Sequence, residues 1–272
     1  MPDIENLIET LALERIEVNL FRGTAPPDRG PRIFGGHVIA QALLAAYRTV
    51  ENRVCHSLHG YFIRPGDPAV PILFEVDRSR DGKSFATRRV TAIQHGAQIF
   101  NMAASFQVPE DGFEHQESMP FMPAADSLPR QPFPDERPRA IDLRFVEHHD
   151  WGHPVAAAPT QNVWMRALAD VGDDPIMNQA VIAYASDMTF MSTSMRPHAV
   201  SWQTPGFQSA SLDHAVWFHR PSQFNTWHLF CQKSPSASGT RGMNFGELYS
   251  SDGRLVATMA QEGLIRLHKP AQ

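Results

Sequence analysis

The sequence predicts an α+β fold built from two tandem units, each a single apolar helix wrapped by an antiparallel sheet. Three observations carry this: two apolar helical stretches stand far apart in the chain, each is followed by several strand-like runs, and a proline-rich segment separates the two sets.

The first helix is GGHVIAQALLAAY, residues 35–47, apolar on nearly every face and so suited to burial. Runs of alternating or β-branched character follow at HSLHGYFIRP, VPILFEVDRS, SFATRRVTAI and QIFNMAASFQ. Residues 109–139 hold seven of the 22 prolines and keep neither a helical nor a strand period, which marks a linker. Beyond it, Asp173-Asp174-Pro175 supplies a capping carboxylate and a first-turn proline for a second helix, PIMNQAVIAYASDM, residues 175–188. Strands are then expected near SLDHAVWFHRP, WHLFCQK, GTRGMNFGELYS and RLVATMAQEGLIR. The expected division is a first unit at 1–108, a linker at 109–139 and a second unit at 140–272.

The two sets superpose in register. Tyr61-Phe62-Ile63-Arg64-Pro65 lies over Trp217-Phe218-His219-Arg220-Pro221 (220 − 64 = 156). Leu73-Phe74 lies over Leu229-Phe230, and Ile99 over Leu255, at the same offset of 156. Val38-Ile39-Ala40 of the first helix lies over Val181-Ile182-Ala183 of the second (181 − 38 = 143). A helix and a curved sheet each cover the other's apolar face, and two such units remove exposed edges by pairing edge to edge.

At 272 residues, 42% hydrophobic, the chain is long enough for two fused units with a real core. A formal charge of −5 provides no basic face of the size nucleic acid requires, so no nucleic-acid partner is expected. Two cysteines, Cys55 and Cys231, lie far apart without CxxC spacing; a reducing, cytoplasmic setting fits them better than a disulfide framework. The acidic N-terminus does not read as a signal peptide, no apolar run is long enough to span a bilayer, and the closing HKPAQ is not a Ser-Lys-Leu address. Membrane insertion is not expected.

One residue breaks the apolar pattern of the second helix. Ile176, Ala180, Ala183 and Asp187 follow at helical spacing and share a face, which puts a carboxylate on the buried stripe. Such a group must be hydrogen-bonded or protonated. The helix offset sets Asp187 over Leu44, and the strand offset sets Ser211 over Cys55 and Gln261 over Ser105. The second half thus carries a carboxylate, a hydroxyl and a carboxamide where the first has mostly packing residues, and one polar cluster is expected. The bland alternative is that Asp187 only bonds nearby backbone.

The chain resembles the type II acyl-CoA thioesterases through LERIEVNLFRG, FGGHVIAQAL, HSLHGYFIRPGD, RDGKSFATRRVTAIQHG, MAASFQVPEDGFEHQ, YASDMTF, LDHAVWFHRP and ELYSSDGRLVATMAQEGLIR, in order and over almost its whole length. That resemblance implies a double hotdog fold, a fatty acyl-CoA substrate hydrolysed to acid and CoA without a cofactor, and a homo-oligomer. It also implies a catalytic set of Asp187, Ser211 and Gln261, all in the second unit, with Ser where some members have Thr.

In the mechanism expected from that set, Asp187 takes a proton from water that Ser211 and Gln261 hold. Gly35, Gly36 and His37 open the first helix and are the expected oxyanion donors. Lys83, Arg88, Arg89 and Arg241 are candidates for the CoA phosphates, whereas Arg64 and Arg220, equivalent in the repeat, read as structural. Met188, Phe190 and Met191 are candidates for lining an acyl tunnel.

Four other readings stay open. A covalent serine mechanism lacks a G-x-S-x-G elbow. A metal hydrolase could draw on EHHDWGH, residues 147–153, but Gly152 and Pro154 spoil a helical His pair, and no metal is expected. An enoyl-CoA hydratase or a non-catalytic acyl-CoA binding protein would share the fold.

Overall fold

A computed structural model describes residues 7–26, 31–130 and 140–268; the rest, including 131–139 of the expected linker and both extreme termini, lies outside the described residues. Helix α1 (Leu7–Leu11) leads into a short hairpin, β1 (Glu14–Glu17) and β2 (Leu20–Gly23), and then α2 (Gly35–Tyr47). Strands β3 (Val54–Phe62), β4 (Ile72–Asp81), β5 (Phe85–Gln94) and β6 (Ala97–Gln107) complete the first half. The second half runs β7 (Ile141–Phe145), β8 (Thr160–Ala167), α3 (Pro175–Ser186), α4 (Phe190–Met195), β9 (Phe207–Ser211), β10 (Asp213–Phe218), β11 (His228–Ser238), β12 (Arg241–Ser250) and β13 (Leu255–Leu267).

All strands form one antiparallel sheet in the order β1-β2-β4-β5-β6-β3-β10-β13-β12-β11-β8-β7, with β9 also paired to β13. The order is a palindrome of the repeat: β3 matches β10, β6 matches β13, and so on outward to β1 and β7. The halves join edge to edge where β3 pairs with β10, Tyr61 opposite Asp213 and Ser57 opposite Trp217. Helices α2 and α3 pack against each other inside the curved sheet, contributing Ile39, Leu43, Val181 and Ala183 to one continuous buried core. This is the double hotdog architecture.

Four details differ from expectation. Each unit has two strands before its helix, with four after it in the first unit and five in the second, and the first unit's leading pair, ERIE and LFRG, is short. The second helix ends at Ser186, two residues early, so Asp187 is its C-cap and not an interior position. The described part of the linker is no free tether: Trp164 Nε1 donates to the Pro123 carbonyl, and Gln116 bonds both Gly253 and Leu255. Finally, the offset of 156 holds for β3, β4 and β5 but becomes 157 for β6 against β13. The paired registers require it: Gly60 faces Met102, and its counterpart Val216 faces Met259 (259 − 102 = 157). The cause is a turn one residue longer, from Tyr249 to Leu255 where the first unit has Ile93 to Gln98. Ile99 therefore corresponds to Val256, and Gln261 to Ala104, not to Leu255 and Ser105 as read from the sequence.

No helix among the described residues is long and apolar enough to cross a membrane.

Candidate active site

Helix α2 begins after Phe34 with no side chain to cap it, so its first backbone N–H groups need a partner from elsewhere. The carboxylate of Asp187, at the end of α3, is brought against them. A β-carbon on Gly35 would lie 2.6 Å from Asp187 Oδ2, and one on Gly36 would lie 2.2 Å from the Tyr184 carbonyl oxygen. The approach of α2 to α3 therefore depends on both glycines. The α2 N-terminus is a favourable seat for an anion.

Asp187 is buried, and its Oδ1 accepts hydrogen bonds from Ser211 Oγ at 3.0 Å and Gln261 Nε2 at 2.5 Å. Ser211 comes from the end of β9, and Gln261 from the inner face of β13. Burial pushes the Asp187 carboxyl up from 3.8 to about 6, while hydrogen bonds from Gln261, Ser211 and the Gly36 backbone pull the other way. Desolvation wins, and the group titrates close to neutrality.

Gln261 is fully buried and reaches a second acceptor, His214 Nδ1, at 3.1 Å. His214 Nε2 stands 2.7 Å from Ser186 Oγ, which donates to the Ala183 carbonyl at 2.9 Å. Burial drives the His214 ring down to about 3, so it is neutral. The sequence reading did not single out His214, although the alternation of DHAVWF puts it in phase with Val216 and Phe218, both buried.

A cleft of about 640 Å³ opens onto this cluster. Its wall includes Asp187 and Ser211, and its lining is largely apolar, with Ile33, Phe34, Phe62, Phe100, Met188 and Leu212 among the contributors. Arg32 and Arg64 also line it, and both side chains are exposed. Gln261 lies behind Asp187 and does not line the cleft.

Several expected assignments need correction. Arg88 is almost fully buried, its guanidinium bonded to Thr49, Arg80, Thr87 and Asp81, so it is a structural cation with no face for a phosphate. Lys83, Arg89 and Arg241 are exposed but lie outside the cleft lining, and Arg241 pairs with Glu262. Arg64 does bond backbone, at Gln98, as Arg220 does at Leu255, yet it also faces the cleft. The backbone N–H of His37 is taken by Phe34, its ring contacts the Thr24 carbonyl, and the Gly36 N–H bears on Asp187; of the three expected oxyanion donors, Gly35 alone lines the cleft. Met188 and Met191 line the cleft, whereas Phe190 packs against Phe230 and His214. In EHHDWGH, Glu147 bonds Asn162, Asp150 accepts from the Gly152 and His153 backbone, and His149 stacks on Trp151.

Two tandem hotdog units, with a buried carboxylate of the second set against the helix start of the first, define a class of fused hotdog enzymes. The chain belongs to the acyl-CoA thioesterase family: a family profile described as "Acyl-CoA thioesterase" matches residues 129–264, and one described as "Acyl-CoA thioesterase N-terminal domain" matches residues 25–107. It is similar to acyl-CoA thioesterase 2 of Haemophilus influenzae, 39% identical with 98% of this chain and 99% of that one covered. It is also similar to human acyl-coenzyme A thioesterase 8, 38% identical with 97% and 91% covered. Among solved structures, acyl-CoA thioesterase II TesB2 from Mycobacterium marinum superposes with a TM-score of 0.83 at 42% identity, covering 98% of this chain and 99% of that one.

Proposed function

We propose that this protein hydrolyses fatty acyl-CoA thioesters to the free acid and CoA, with Asp187 as general base toward water. The observation that carries the reading is a buried carboxylate that titrates near 6 at the wall of an apolar cleft. A base poised near the working pH combines the right protonation state with useful proton affinity.

An acyl chain fits the apolar walls, and its thioester carbonyl comes to rest near Asp187 and Ser211. Water between carboxylate and carbonyl loses a proton to Asp187 as it attacks; the tetrahedral oxyanion collapses and expels CoA thiolate, a leaving group whose conjugate acid has a pKa near that of Cys, roughly 8.5. Ser211 donates its proton to Asp187 and turns its lone pairs toward the cleft, where it accepts from the water. Gln261 acts from behind, orienting the carboxylate without touching water. Help of this kind typically contributes about 10²–10⁴-fold.

Arg32 and Arg64, on the rim, take the phosphates of CoA in this reading. Arg64→Glu and Arg32→Glu then raise KM several-fold with kcat little changed, and Lys83→Glu leaves both alone. The 3.0 Å contact between Ser211 Oγ and Asp187 Oδ1 also suits a second reading, in which Ser211 is the nucleophile.

We also infer a cytoplasmic location, supported by two unpaired thiols, and a homo-oligomer, supported by the exposed Tyr61 and Trp217 on the paired central strands and tested by light scattering.

The test of function is thiol release from a panel of acyl-CoA lengths, wild type beside Asp187→Asn. Release by the wild type and its loss in the variant are expected. A hydratase acting on enoyl-CoA yields hydroxyacyl-CoA with no thiol, a binding protein yields neither product, and an active Asp187→Asn sinks the general-base role.

A further inference from the structure

Gln261 carries the burden of orienting Asp187, yet an amide has two ends of nearly the same shape. With Nε2 toward Asp187 Oδ1 it donates; turned over, it would set its own oxygen against the carboxylate. What fixes the amide is the identity of its other neighbour. Nε2 has two protons, one directed at Asp187 and one at His214 Nδ1, while Oε1 faces neither and has no hydrogen-bond partner among the buried side-chain atoms.

This works only if His214 Nδ1 is a bare acceptor, and the hydrogen bonds on the far side of the ring point the same way. Ser186 Oγ gives its proton to the Ala183 carbonyl, so it can only accept from His214 Nε2, which must therefore carry the ring proton. Nδ1 is left with its lone pair. The run of donors is consistent at every step: Ser186 to Ala183, His214 to Ser186, Gln261 to His214, and Gln261 to Asp187. Continuing the β10–β13 register by one residue puts His214 opposite Gln261 (215 + 260 = 214 + 261), so sheet pairing holds the two side chains together. Phe190 meets the ring edge-on at 5.8 Å between centroids. Ser186 and Asp187 are consecutive, so the relay leaves the end of α3 at one residue and returns at the next.

We infer that His214 is a positioning residue for hydrolysis: its neutral ring, protonated on Nε2 by the demand of Ser186, locks the Gln261 amide so that Nε2 faces Asp187. The inference rests on the proposed role of Asp187 and deepens it. Nothing in it requires His214 to touch substrate, and the ring lies outside the cleft lining.

The test compares two substitutions. His214→Leu keeps the site apolar and removes the acceptor; kcat is expected to fall about 10- to 100-fold, with KM within about twofold. His214→Asn keeps an acceptor oxygen where Nδ1 stood and should recover to within a few-fold of wild type. The acid limb of kcat/KM supplies a readout that packing alone does not move. The bonds lowering the Asp187 titration come from neutral groups, Gln261, Ser211 and Gly36. Losing the first should therefore shift the limb to higher pH in His214→Leu and not in His214→Asn. Histidine-selective ¹⁵N NMR of the wild-type protein reads the tautomer without any variant: a neutral ring with its proton on Nε2 is expected from pH 5 to 9.

A folded His214→Leu with wild-type kcat and acid limb overturns the inference, as does an Asn variant no better than Leu. A ring protonated on Nδ1, or charged in that range, overturns it even if neither variant folds. These failures differ from failure of the parent reading, which shows as turnover surviving in Asp187→Asn.

Discussion

Replacing Asp187 with Asn should make the folded protein more stable at pH 8 while it stops turnover. The carboxyl titrates near 6 in the folded chain against 3.8 for the free group, because burial outweighs the three hydrogen bonds that favour its charge. At about 1.36 kcal/mol per tenfold, keeping it ionised in the fold costs about 3 kcal/mol. The folded value lies above the unfolded one, so this cost is absent below 3.8, grows as pH rises toward 6 and is complete above it. Asn can still accept from Ser211 and Gln261 and carries no charge, though its amide meets the Gly36 N–H less well, which trims the gain. Thermal melts of both proteins at pH 8 and pH 4 read the effect. A rise of roughly 5–10 °C is expected for Asn at pH 8, shrinking to a degree or two at pH 4. An Asn variant no more stable than wild type at pH 8, or one with the same advantage at both pH values, refutes the reasoning.

Three further outcomes follow from the same geometry. The kcat/KM profile should fall on the acid side with an apparent pKa near 6, since Asp187 must be ionised to take a proton; a limb near 4 would show a solvated carboxylate instead. Gly35→Ala should lower kcat by about 100-fold, because the new methyl lands 2.6 Å from Asp187 Oδ2 and 2.8 Å from the Phe62 ring, and circular dichroism should show the fold retained. Arg88→Met should lower unfolding free energy by about 3 kcal/mol in urea titration and leave KM for acyl-CoA unchanged, since it strands the buried Thr49 oxygens and takes nothing from the cleft lining.

Much of this site is legible in the sequence, and the places where it is not have specific causes. Both helices begin where their glycine and Asp-Pro signals say, at Gly35 and Pro175. The interruption of an apolar stripe by Asp187 points to the place where the three polar side chains meet. What helical periodicity could not convey is that the stripe ends one residue before Asp187, because that carboxylate serves the start of the other helix. Strand alternation held more than was taken from it: Arg88 falls in phase with Ala86 and Val90, which puts its guanidinium inward, and His214 falls in phase with Val216. The two strands ahead of the first helix escaped because ERIE and LFRG are only four residues each, too short to show a period. The displacement of Gln261 from Ser105 to Ala104 in the repeat depends on a one-residue difference in turn length, which a constant offset hides.

The central claim is that water, activated by Asp187, attacks the thioester directly. A single turnover with enzyme in excess, run in H₂¹⁸O and stopped in acid, separates this from covalent routes when product and protein are weighed by mass spectrometry. Direct attack predicts one ¹⁸O in the released fatty acid, no acyl adduct on the protein at any time point, and no label in the peptide carrying Asp187. An acyl group trapped on Ser211, or ¹⁸O recovered in Asp187 with an unlabelled product, would contradict it.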